Sequence, residues 1–198
     1  MKWLCVLKRF AIVLVAALLG FSCGDGNNPT GSDGAGEEEL ITTLKLTLTE
    51  TGSSTSVTVQ FQDLDGPGGV DGSVDTLTVT AGSTYSGVIQ VLNEAETPAE
   101  DITSEVREEA EEHMFWFTAG GGFSAAATTR TDHESDYVTA QTGTDHEVGI
   151  TFQLVATSGV TAGTFTVALD HYDDVAKDGT SRSNETDIEV VFPVKVTP

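Results

Sequence analysis

The chain has 198 residues, with 9 lysine and arginine residues against 31 aspartate and glutamate residues, for a formal net charge of −22 at pH 7. A surface this acidic repels nucleic-acid phosphates and anionic head groups, which excludes a nucleic-acid partner and charge-driven adsorption to lipid. Hydrophobic residues make up 38% of the chain, which is enough for one packed domain. Acidic, lysine-poor surfaces stay hydrated at high salt, so we predict a halophilic bacterial source; a cation-binding role is the alternative explanation.

Residues 1–22 have the organisation of a bacterial export signal. Three basic residues lie within the first nine positions, and an apolar run (FAIVLVAALLGF) follows at 10–21. That run is too short for a membrane-spanning helix, which needs about 20 apolar residues, so it fits a cleaved signal peptide. The sequence LGFSC at 19–23 resembles the lipobox of bacterial lipoproteins, in which the cysteine is acylated and becomes the first mature residue.

The cysteine content favours lipidation of Cys23. The other cysteine, Cys5, lies in the segment that would be removed, so the mature protein would contain one cysteine and no disulfide. Gly24 follows Cys23 and does not resemble an inner-membrane retention signal, so we predict a lipid anchor in the outer membrane, on its periplasmic or its outer face. Residues 23–39 are then the lipidated cysteine and a flexible acidic tether, and 40–198 are the folded domain.

Apolar and polar residues alternate with a period of two through the folded domain. Half-buried strands with threonine-rich solvent faces produce this pattern. Roughly seven or eight such strands predict mainly β structure, an antiparallel β-sandwich that is immunoglobulin-like or related, with one short helix. Pro193 cannot donate to a ladder, so the last strand lies at an edge or carries a bulge. Residues 123–147 have poor periodicity and form a long loop or two short edge strands.

One segment has the period of a helix. Residues 97–100 (TPAE) have the pattern of a capping box with proline at the first helical position. Ile102, Val106 and Ala110 then recur at a spacing of four. This predicts a short helix that reaches about Glu112 and holds its glutamates in solvent.

A turn after the second predicted strand contains Asp63 and Asp65. Two carboxylates beside a glycine suit a calcium loop, which needs oxygen ligands and a sharp bend. Pro67 occupies the fifth position of that motif, so Asp71 or Asp75 would have to complete the shell. The alternative is a plain Asp-Gly β-turn without metal.

The four histidines lack any local metal-binding spacing. His113 is in phase with the phenylalanines that follow it, and His171 is in phase with the apolar residues of its strand, so both are expected to lean inward. They could meet across the sandwich as a zinc or copper site, or be hydrogen-bonded core histidines. His133 and His146 lie in polar loops and are expected in solvent.

Catalytic motifs are missing from the sequence. It has no nucleophile elbow, P-loop or dinucleotide fingerprint, and Cys23 is assigned to lipidation, so we predict a protein that is not an enzyme. A carbohydrate-binding sandwich is the weaker alternative, because Trp116 is the single tryptophan after the signal peptide.

Five segments resemble a group of small uncharacterised bacterial lipoproteins: 37–43, 61–66, 102–113, 169–171 and 185–190. Automated names for such proteins include a type 1 periplasmic binding fold, which implies an α/β domain pair; the strand pattern favours the sandwich. The resemblance also implies association with TonB-dependent outer-membrane transporters.

Together these features predict a lipid-anchored outer-membrane lipoprotein that acts as a non-enzymatic binding or accessory module. The alternative is a metal-capture or metal-delivery protein that works with a TonB-dependent transporter. Its candidate ligands are His113 and His171 for zinc; Asp63 and Asp65 are a separate candidate site for calcium.

Overall fold

A computed structural model of the chain describes residues 40–66, 69–139, 143–172 and 175–198. The contacts divide the chain at Asp33–Gly34 into two units, and all described residues belong to the second. The predicted signal peptide, Cys23 and the tether lie outside the described residues. Among the residues that are described, no helix is long and apolar enough to cross a membrane.

The described residues form ten β-strands, one α-helix and two short 3-10 turns. The strands are β1 Thr43–Glu50, β2 Ser56–Gln62, β3 Ser73–Val74, β4 Leu77–Thr80, β5 Thr84–Leu92, β6 His113–Gly120, β7 Ala127–Arg130, β8 Thr151–Val155, β9 Ala162–His171 and β10 Glu185–Thr197, and the helix is α1 Ile102–Glu108.

The strands form two sheets, which confirms the predicted β-sandwich. One sheet has the order β3-β2-β1-β5-β8-β7 and the other β4-β10-β9-β6. Alternate residues of both sheets face one shared hydrophobic core, as the period of two requires. Phe117 of β6 and Phe152 of β8 meet in that core, with ring centroids 4.5 Å apart.

Two features of the strand pairing differ from the prediction. The sandwich is not wholly antiparallel, because β4 pairs parallel with the end of β10. The strand β5 was missed, although Tyr85, Ile89 and Val91 alternate along it and are buried. It is an inner strand, antiparallel to both β1 and β8.

The predicted start of the helix is wrong. Asp101, not Thr97, is the N-cap residue, and it makes no side-chain capping hydrogen bond. Glu100 instead pairs with Asn93 in an isolated antiparallel bridge, with N···O distances of 3.0 and 3.1 Å. The backbone of Glu100 is therefore extended, and the helix begins after it. The predicted inner face is confirmed, since Ile102, Val106 and Ala110 are buried.

The last strand is an inner strand that carries a bulge. Its pairing with β9 shifts register between Thr186 and Ile188, so Asp187 is the extra residue. Pro193 lies one residue before the pairing with β4 begins, where its missing N–H breaks no ladder bond on that side. The described part of 123–147, which leaves out 140–142, contains one short edge strand, β7, and not the two predicted as one option.

Candidate metal centre

His113 and His171 lie side by side at one end of the four-stranded sheet. They are direct register partners, because the first residue of β6 pairs with the last residue of β9. Each histidine lies on the core-facing side of its strand, and the two side chains are 0% and 3% exposed. The imidazoles stack with centroids 4.4 Å apart and planes 20° apart. The two histidines thus meet within one sheet, not across the sandwich as predicted.

The bulge in β10 brings Asp187 to the same place. Simple alternation with Val190 and Phe192 would put residue 187 on the outer face, but one extra residue reverses the side on which it points. The Asp187 side chain is 0% exposed. Its carboxylate lies 3.8 Å from His113 Nε2 and 3.9 Å from His171 Nδ1.

The turn between α1 and β6 supplies two glutamates. The helix ends at Glu108, and the backbone then bends so that Glu112 N donates to Glu109 O at 2.8 Å. One ligand atom from each of Glu109, His113 and His171 lies within 4.8 Å of the others. Glu112 Oε2 lies 3.9 Å from His171 Nε2. These two glutamates therefore face the histidines, and the prediction that they are simply in solvent is wrong.

A backbone hydrogen bond fixes the tautomer of His113. His113 Nδ1 lies 3.2 Å from Glu109 O, and because a carbonyl can only accept, Nδ1 carries the proton. The lone pair of the neutral ring is then on Nε2, which faces Asp187 and has no hydrogen-bond partner. Metal-binding histidines commonly have this arrangement, in which the non-ligating N–H donates to a carbonyl.

The spacing of these groups fits a bound cation better than direct hydrogen bonds. The three nitrogen–oxygen separations are 3.8, 3.9 and 3.9 Å, which is too long for hydrogen bonds. Zinc bonds of about 2.0–2.1 Å at a tetrahedral angle put neighbouring ligand atoms roughly 3.4 Å apart. One ion can be bound by only one nitrogen of each ring, so His171 would use either Nε2, beside Glu112, or Nδ1, beside Asp187.

Burial keeps His113 in the protonation state that metals require. It is the main cause that lowers the pKa of His113 to about 4, and the neighbouring His171 and the Lys177 ammonium lower it further. A neutral imidazole is the form that binds metal. The pKa of Glu109 is raised, first by burial and then by the charge of Glu112.

A buried lysine supports the loop that carries His113. Lys177 Nζ donates to Ala110 O and His113 O, both at 2.8 Å, and pairs with Glu134 at 2.9 Å. Both charged side chains are nearly inaccessible, at 2% and 3% exposure. Burial lowers the pKa of Lys177 and the Glu134 carboxylate opposes that shift. Lys177, which follows β9, thus connects the start of β6 through its hydrogen bonds with the segment after β7 through its ion pair.

The Asp63–Asp65 turn lies after β2 and is a different kind of site. Asp65 accepts a hydrogen bond from Val70 N at 2.9 Å, and Asp75 accepts one from Gln60 N at 3.0 Å. Among the described residues, these aspartates do not belong to a group of three or more close potential ligands. Asp75 already accepts a hydrogen bond from the β2 backbone. Calcium binding at Asp63 and Asp65 stays a prediction.

The remaining histidines occupy separate places. His133 is exposed, as expected, and caps a short 3-10 turn. His146 is half-buried and lines a cavity of about 440 Å³ next to Glu112.

Three residues of this region were not predicted from the sequence: Glu109, Asp187 and Lys177. Only Glu109 carried a signal, because it stands four residues before His113 at the end of a helix.

Comparison with family models, with curated proteins and with solved structures returned no match. The resemblance to small bacterial lipoproteins therefore stays a prediction.

Proposed function

We propose that this protein is a lipid-anchored, non-enzymatic lipoprotein of the outer membrane that captures a divalent transition metal, Zn²⁺, at the His113–His171 site. The observation that carries the proposal is a pair of buried imidazoles whose Nε2 atoms have no hydrogen-bond partner. Both atoms face carboxylates at 3.8–3.9 Å. Buried polar atoms without partners are costly, and a bound cation would satisfy them.

The donor set favours zinc over Cu⁺ and calcium. Imidazole and carboxylate suit Zn²⁺, whereas Cu⁺ prefers cysteine and methionine sulfur. Met114 follows His113 but pairs with Asp170 in the sheet, one position out of phase with the two histidines. Calcium prefers six to eight oxygen ligands and is a poor match for two nitrogens.

The proposal includes the cellular setting predicted from the sequence. The export signal and Cys23 support lipid anchoring, and the acidic surface supports a halophilic source. A captured metal would be passed to a TonB-dependent transporter, the partner that the family resemblance implies. Replacement of Cys23 by serine should release the protein from membranes, as measured by detergent fractionation; a variant that stays in the membrane would contradict the anchor.

Zinc stoichiometry and affinity test the metal site. The full chain, purified in detergent and molar salt without chelator, should bind one Zn²⁺ in isothermal titration calorimetry. Zinc at about a hundred times its Kd should raise the free energy of unfolding by about 2.7 kcal/mol. Replacing both His113 and His171 with glutamine should abolish the binding and the stabilisation.

The matched control is His133→Gln, which removes an exposed imidazole. It should leave zinc affinity unchanged. Equal zinc binding by the wild type and the double variant would overturn the proposal. If Cu²⁺ alone binds at these residues, the metal assignment would be wrong, while capture of a metal at this site would stand.

A further inference from the structure

The histidine site is closed to solvent on the sides formed by its own strands. His113, His171 and Asp187 have side chains that are 0%, 3% and 0% exposed. A hydrated cation therefore needs a route to reach them. The cavity of about 440 Å³ beside the site includes Glu112 and Tyr172 in its wall. We refer to this space as the entry cavity.

The wall of the entry cavity suits a cation. It includes the carboxylates of Glu111, Glu112 and Glu134, together with His146 and Lys177. Lys177 pairs within the wall with Glu134 at 2.9 Å, and the wall contains three glutamates against one lysine. At about 30 Å³ per water molecule, the cavity has room for a divalent ion with its first hydration shell.

Glu112 belongs both to the cavity and to the histidine site. Its side chain is 40% exposed and forms part of the cavity wall. Its Oε2 atom is nevertheless buried, has no hydrogen-bond partner and lies 3.9 Å from His171 Nε2. That nitrogen is also buried and without a hydrogen-bond partner. A buried imidazole nitrogen without a hydrogen-bond partner thus lies beside a carboxylate group that is partly exposed to solvent.

We propose that the entry cavity admits hydrated Zn²⁺ and that Glu112 transfers the ion from the cavity to His171. The inference rests on the proposed metal-capture function and adds the route by which the site is loaded and emptied. Exchange of water for a carboxylate oxygen, and then of that oxygen for an imidazole nitrogen, keeps the cation coordinated throughout. Glu112 is a transfer residue in this scheme, so its main effect is on the rates of loading and release.

The test compares Glu112→Gln with Glu108→Gln, using the full chain in detergent. Both substitutions remove one charge, but Glu108 is exposed at the end of α1. Zinc loading is followed by stopped-flow mixing with a fluorescent zinc indicator, and release is followed after addition of EDTA. We expect Glu112→Gln to slow loading and release by about tenfold each, which is more than any change that it makes in Kd. Glu108→Gln should behave as the wild type.

A second variant tests the cavity without changing charge. Thr144 is exposed and lines the entry cavity, so Thr144→Trp should obstruct it and slow loading while the equilibrium affinity is kept. Unchanged rates in both variants would overturn the route. A large loss of affinity in Glu112→Gln with normal loading would overturn the transfer role and make Glu112 a permanent ligand. If the wild type binds no zinc, the proposed function itself fails.

Discussion

The histidine end of the sandwich and the Asp63–Asp65 turn are both acidic, and both were predicted metal sites. The turn is formed by one short segment, in which the two carboxylates are two residues apart; Asp65 accepts a backbone hydrogen bond, whereas Asp63 Oδ1 is buried without a hydrogen-bond partner. The pKa of Asp63 is raised, by partial burial first and then by a hydrogen bond with Asp65. Donation by the Val70 N–H lowers the pKa of Asp65. A proton on Asp63 would relieve the repulsion between the two carboxylates without a ligand.

The histidine end is assembled from distant parts of the chain. His113, His171 and Asp187 belong to three different strands, which are neighbours only because β6, β9 and β10 pair in that order. Its nitrogens are buried and cannot turn to water, and two of them have no hydrogen-bond partner. The comparison shows that strand pairing brings together buried nitrogens without hydrogen-bond partners, which a local run of acidic residues does not contain.

Removal of Lys177 should produce the largest loss of stability. Lys177→Met would leave Glu134 buried without its partner and free two carbonyls, so we expect the free energy of unfolding to fall by about 3–5 kcal/mol. Lys45→Met is the matched control, because the Lys45–Glu94 pair is 29% and 23% exposed. That pair should contribute about 1 kcal/mol or less. Urea denaturation measures both variants.

A double variant distinguishes the cost of an uncompensated buried charge from the cost of lost packing and hydrogen bonds. Lys177→Met with Glu134→Gln should recover part of the loss, because no uncompensated buried charge remains. Equal effects of Lys177→Met and Lys45→Met would show that burial does not distinguish the histidine end from the surface.

The metal-free protein should depend on pH through His113. Its pKa falls from 6.5 in the unfolded chain to about 4 in the fold, so between these values the unfolded state binds more protons. Stability from this residue is therefore present above pH 6.5 and is lost as the pH falls toward 4, by about 3 kcal/mol in total. The measurement is the difference in unfolding free energy between the wild type and His113→Gln, in EDTA.

The raised pKa of Glu109 has the opposite sign and lowers stability as the pH rises. Because both proteins contain Glu109, its contribution largely cancels in the difference. A difference that stays flat from pH 4 to 6.5 would contradict burial of a neutral ring at position 113.

Asp187 should contribute to zinc affinity, and the neighbouring residues of the same strand should not. Asp187→Asn keeps the shape of the side chain but removes the negative charge 3.8 Å from His113 Nε2, so we expect about a tenfold loss of zinc affinity in calorimetry. Glu189→Gln on the same strand is the control, since that residue pairs with Arg182 at the surface. Equal affinities would mean that the bulge serves packing alone.

The sequence predicted the fold class because the alternation of apolar residues reports one buried face per strand. It also predicted that His113 and His171 point inward, since each is in phase with core residues such as Phe115 and Leu169. Register decides which inward residues become neighbours, and it was not predictable from one strand at a time. The role of Asp187 was hidden for a further reason, because a bulge reverses the side that alternation assigns.

The smallest expected effect belongs to the turn and depends on salt. Asp65→Asn removes a negative charge beside Asp63 and leaves an oxygen that can still accept from Val70 N. In dilute buffer the repulsion between the two carboxylates is weakly screened, because the Debye length is about 30 Å at 0.01 M and about 3 Å at 1 M. The variant should therefore melt slightly above the wild type in dilute buffer and together with it in molar salt, as followed by circular dichroism. The wild type, with its net charge of −22, should itself become more stable as the salt concentration rises from dilute to molar, because salt screens the repulsion among its charges. A melting difference that persists in molar salt would show that Asp65 acts through its hydrogen bond and not its charge, and the turn would then be a specific structural element like the histidine end.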